Sequence, residues 1–175
     1  MNKTATWLLP ALLFAALVTP ATGAEKRWKL TAEEDEISGE KMHSLAVAAD
    51  DGSVLVLTTR KDKEPILTLV PAKGRVTIFP DKTDIANKAM FVNLSMRSTA
   101  MDKPHSASWR MSWMDYGKAF TTVDEELARK VLSGDSVTFQ FDKMGKRIKF
   151  PTKGEGLEGL AEAIDEALAA TATAK

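Results

Sequence analysis

Met90-Phe91-Val92-Asn93-Leu94-Ser95-Met96-Arg97 alternates along its length. Met90, Val92, Leu94 and Met96 share one face, and Asn93, Ser95 and Arg97 share the other with Phe91. Side chains of an extended chain point to opposite faces in turn, so this stretch predicts a strand with one face in a core and one in water. One-sided burial belongs to antiparallel sheets, and that decides the fold class. Ser108 to Met114 repeats the pattern, with Trp109, Met111 and Trp113 against Arg110 and Ser112. Tyr116-Gly117 then turns the chain into Lys118 to Val123.

The same signals extend in both directions. Upstream, Trp28-Lys29-Leu30 reads as a first strand entering an acidic loop at Glu33-Glu34-Asp35-Glu36. Met42 to Ala49 and Val54 to Thr59 flank Asp50-Asp51-Gly52-Ser53, whose Asp-Gly pair tolerates positive φ and predicts a hairpin. Ile66 to Val70 and Arg75 to Phe79 flank Pro71-Ala72-Lys73-Gly74, a second hairpin. Pro65 and Pro71 lack a donor N–H and suit strand ends.

Downstream, the pattern changes at Asp124. Acids open the segment Asp124 to Leu132 and bases follow, which complements a helix dipole, and Gly134 is placed to end it. Val137, Phe139 and Phe141 alternate with Thr138, Gln140 and Asp142. Met144-Gly145 turns into the arm Arg147-Ile148-Lys149-Phe150. A closing helix carries Leu157, Leu160, Ala161, Ile164, Ala167 and Leu168 on one stripe. The expectation is a mainly β, single-domain antiparallel β-sandwich or partly open barrel. One short helix and a C-terminal amphipathic helix complete it, the latter covering an open end or a sheet face.

Residues 1–24 have the layout of a cleavable signal peptide: Lys3, an apolar run from Trp7 to Val18, then small residues to Ala24. Pro10 interrupts that run, which is shorter than the ~20 residues needed to cross a bilayer. The expected layout is thus a signal at 1–24, one β-rich domain over 25–170, and a frayed tail at 171–175. The expected location is the periplasm or the exterior, with no transmembrane segment in the mature chain. The cysteine count is 0, so packing carries the stability, and thiol redox, cysteine nucleophiles and thiolate metal sites are excluded. The 24 basic residues balance the 24 acidic ones, without the basic excess usual in nucleic-acid binders, and no nucleic-acid partner is expected. Lys143, Lys146, Arg147 and Lys149 form the densest basic stretch, which reads as a solvated hairpin, with an anionic partner as the alternative.

The catalytic patterns fail on context. Gly154-Glu155-Gly156-Leu157-Glu158-Gly159 matches a dinucleotide-binding spacing, but no second parallel strand or distal ribose-binding acid follows it. Ser38-Gly39-Glu40-Lys41 lacks the companion motifs of penicillin-recognising serine enzymes. His43 and His105 have neither a nucleophile elbow nor a zinc-binding helix motif beside them. No catalytic residue and no cofactor are therefore assigned. The expected contact surface for a protein partner is the strand pair around Arg97, Trp109 and Trp113, since exposed Trp and Arg dominate interface energetics. The alternative uses the methionine-rich stretch Met90 to Met114, where Met101, His105 and Met111 would offer soft ligands to Cu(I) or Ag(I). Core packing is the simpler account of those methionines.

Landmarks along the chain resemble the invasion-associated locus B family and similar small periplasmic proteins encoded near type VI secretion systems. The matching residues are Trp28, Met96-Arg97, Asp102, Trp109, Ala119-Phe120, Gly134, Val137 to Phe141, Phe150, Gly156 and Gly159-Leu160. The resemblance implies an exported β-rich domain acting in host interaction or envelope function, and it supplies no catalytic residues. Members often carry a cysteine pair, which is missing here.

Overall fold

In the computed structural model, which describes residues 26–34, 39–61, 63–72, 82–84, 89–114, 117–123, 125–141 and 146–169, Gly52 adopts φ 81°. Asp51 Oδ1 accepts from the Ser53 N–H at 3.0 Å, and the Ala49 N–H donates to Ser53 O at 2.8 Å. These contacts close the predicted hairpin between β2 (Lys41–Ala48) and β3 (Val54–Arg60). The remaining strands are β1 (Trp28–Glu34), β4 (Ile66–Val70), β5 (Lys82–Asp84), β6 (Ala89–Ser98), β7 (His105–Met114), β8 (Gly117–Val123), β9 (Ser136–Phe141) and β10 (Arg147–Pro151). Among the described residues two helices complete the set, α1 (Glu125–Leu132) and α2 (Leu160–Ala169).

All strands belong to one antiparallel sheet in the order β1-β2-β3-β4-β8-β7-β6-β9-β10, with β5 paired to β6. The sheet curls into a half-barrel, so the partly open barrel, rather than the sandwich, is the form adopted. Its crossovers put β8 beside β4 and β9 beside β6. Pro65 and Pro71 flank β4 and leave its ladder intact, as their missing donors require.

Register fixes which side chains go in. One cross-strand row runs Trp28, Val47, Leu55, Leu69, Phe120, Met111 and Met90. A slip of one residue in any strand would turn its members outward, so the row specifies the pairing. From Val47 to Met111 this row is buried, in one cluster with Ala128 and Leu132 of α1 and Leu160, Ala163, Ile164, Ala167 and Leu168 of α2. Both helices therefore lie against the concave, inner face. A smaller cluster of Ala46, Val54, Val56, Val70 and Ala119 is buried on the outer face. Helix α2 packs over β2 and β3, which answers the expectation that its stripe covers the sheet. Among the described residues, no helix is long and apolar enough to cross a membrane.

The start of β1 meets the segment that precedes α2. The Arg27 N–H donates to Gly156 O at 2.9 Å, and Trp28 Nε1 donates to Glu158 O at 3.1 Å. Lys26 Nζ sits 4.7 Å from the Trp28 ring centroid. Trp28→Phe keeps the ring and removes the bond to Glu158, so a loss of about 0.5–1 kcal/mol is expected in urea unfolding. A loss no larger than that of an exposed control such as Lys29→Ala would show that this bond contributes nothing.

The strand β5 was not anticipated, because three residues carry too little alternation to register. The predicted arm Arg75–Phe79, the turns at Tyr116 and Met144-Gly145, the leader 1–24 and the tail 171–175 lie outside the described residues.

Candidate functional site

Alternation in β6 and β9 buries Met96 beside Phe139 and Ser98 beside Val137, so Ser95, Arg97, Thr138 and Gln140 are turned to the outer face. The arm β10 adds Arg147 opposite Gln140 and Lys149 opposite Thr138. Two polar rows result: Ser106, Ser95, Gln140, Arg147 and, beside it, Arg97, Thr138, Lys149. All of these but Ser106 line a groove of about 410 Å³, together with Thr99 and Pro104 of the β6–β7 connection.

The groove is cationic. Arg97, Arg147 and Lys149 are exposed, and no acidic residue lines it among the described residues. Strand spacing sets Arg97 and Lys149 roughly 10 Å apart at Cα, with Arg147 about 7 Å from Lys149 along β10. Both arginines and the lysine are long enough to converge over Thr138. Arg147 Nε donates to Gln140 Oε1 at 2.9 Å, which holds its guanidinium over the sheet. Arg97 and Lys149 have no hydrogen-bond or ion-pair partner among the described residues. Asp135, just before β9, is taken by Lys153 at 2.7 Å. Ser95 Oγ and Ser106 Oγ lie 2.7 Å apart in a hydrogen bond in which either hydroxyl can be the donor.

The sequence-predicted contact residues do not form one surface. Arg97 is exposed on the outer face, whereas Trp109 is 0% exposed on the inner face. Trp109 meets Phe139 edge to face, with ring centroids 5.7 Å apart, and its Nε1 has no acceptor among the described residues. The physical reason is parity: Trp109 pairs with Val92, and both point to the core. The side chain of Trp113 lies outside the described residues.

The soft-ligand set is likewise dispersed. Met111 is 2% exposed in the core, and Met101 packs against that core from outside. His105 is exposed at the start of β7, six residues before Met111 on the same strand. That separation is roughly 20 Å along an extended chain, while metal donors must sit within about 2–2.5 Å of a shared ion. Among the described residues, no group of three His, Cys, Asp or Glu is arranged to hold a metal.

Sequence reasoning isolated Arg97 and the basic arm separately and passed over Ser95, Thr138 and Gln140. The available signal was the shared parity of Arg97, Thr138 and Lys149, but only the β6–β9 crossover brings them together. No family model matches the chain, and neither the curated proteins nor the solved structures yield a match to it.

Proposed function

We propose that this chain is an exported, non-enzymatic binding protein of the bacterial envelope or secretome, which holds a partner in the envelope or on a host through the groove of β6, β9 and β10. The observation that carries this reading is a groove lined, among the described residues, by three exposed cations and no acid, lying opposite a well-packed core. Charge of one sign at a concave surface steers and orients a partner of the other sign. The leader-like segment 1–24 and the resemblance to small invasion-associated periplasmic proteins support the compartment and the role.

The test is capture of partners from envelope extract by the immobilised protein and by an Arg97→Ala, Lys149→Ala double variant. Recovery of the partner is expected to fall at least about tenfold, since two charge-assisted contacts are removed. Arg129→Ala, on the exposed side of α1, serves as the control and should leave recovery unchanged. Equal capture by the folded double variant would sink the proposed surface.

A further inference from the structure

We infer that the β6–β9–β10 groove is a binding site for a compact soluble ligand bearing phosphate or sulfate groups, gripped by Arg97, Arg147 and Lys149. This rests on reading that groove as the contact surface, and it names what the surface recognises. Guanidinium forks present paired N–H donors that match two oxygens of one oxyanion, and the lysine adds a mobile point charge. The Arg147 fork is already oriented by Gln140 at 2.9 Å, so part of the ordering cost is met before a ligand arrives. Arg97 and Lys149 flank it from β6 and β10 with their donors uncommitted among the described residues. The Thr138 hydroxyl, between the cations on β9, supplies a neutral donor for a remaining oxygen.

Size and surroundings decide between kinds of ligand. About 410 Å³ falls within the range of small-ligand pockets, so the groove has room for a compact anionic molecule. Either tetrahedral group offers more acceptor oxygens than a carboxylate, and a phosphate monoester also carries more charge, which suits three cations better. A membrane surface is the weaker candidate. Lipid binding calls for larger clusters of cations or for inserted apolar side chains. The exposed large hydrophobic residue among those described is Val123, and it belongs to β8, outside the groove lining.

The experiment is isothermal titration of the purified protein with inorganic pyrophosphate at low salt. Parallel arms use sodium malonate, as a carboxylate of similar size, and vesicles of phosphatidylglycerol. Pyrophosphate is expected to bind at one site per chain, more tightly than malonate. Arg97→Ala and Lys149→Ala should each weaken it about tenfold, with unchanged far-UV circular dichroism. Arg129→Ala should bind as the parent does. Raising the salt should weaken binding, because exposed charges are screened. No heat with millimolar pyrophosphate, equal affinity in the groove variants, or binding only to vesicles would each overturn the assignment. Loss of pyrophosphate binding alone leaves the contact surface standing if the double variant still fails to capture its partner. Loss of both removes the surface as well.

Discussion

Phe139→Ala is expected to lower the unfolding free energy by about 4 kcal/mol, the middle of the range for emptying an aromatic site in a core. Phe139 is 0% exposed and sits between two rings, Trp109 at 5.7 Å and Phe150 at 5.9 Å, each met edge to face. Truncation loses the buried area, leaves a cavity under β6 and β9, and breaks two aromatic contacts worth about 0.5–1.5 kcal/mol each. The neighbour Gln140 points the other way, so Gln140→Ala should cost under about 1 kcal/mol. Urea unfolding of the two variants checks the sidedness of β9 directly. If Phe139→Ala fails to fold, Phe139→Leu provides the graded version, at about 1–1.5 kcal/mol. Similar costs at the two adjacent positions would contradict the register given for this strand.

Gly134→Ala is the second large effect, expected at about 3 kcal/mol. The added Cβ would lie 2.3 Å from Ser98 Oγ, 2.5 Å from Thr99 Oγ1 and 2.9 Å from the Ala100 nitrogen. Such contacts cannot be relieved by swinging a long side chain aside, because these groups are short and one is backbone. The same turn is tied to Gly134 from several directions. The Asp135 N–H donates to Thr99 Oγ1 at 2.6 Å, and Thr152 Oγ1 donates to Gly134 O. Moving the turn would therefore loosen β6, β9 and the start of the 152–159 segment together. Adding Ser98→Ala removes the nearest clashing atom and should restore part of the loss, a coupling that a double-mutant cycle measures. Strict additivity of the two changes would show that the crowding is not the cause.

Gly134 also marks how the sequence can be read. It was placed there as a helix terminator, and it does follow α1, but its burial against the β6–β7 turn is a tertiary fact. The alternating stretches were the most legible part: β4, β6, β8, β9 and β10 fall where hydrophobic period and turn chemistry set them, within a few residues. Pattern shows that Trp109 and Met111 share a face, but not which face is core, and so Trp109 was a contact candidate until its register with Val92 settled its side. The groove was harder still. Arg97 and Lys149 are far apart in the chain, and a pairing between β6 and β9 that skips β7 and β8 leaves no local trace. Sequence separation hides such a site because the physics that creates it acts only once the sheet has formed.

The bond between Trp28 and the carbonyl of Glu158 spans 130 positions along the chain. A polypeptide emerging from its N-terminus can build the β1–β4 meander early, yet cannot make this bond or cover the sheet with α2 until residues 156–169 have appeared. Completion of the fold should thus lag behind formation of the meander for as long as the α2 segment is still being made.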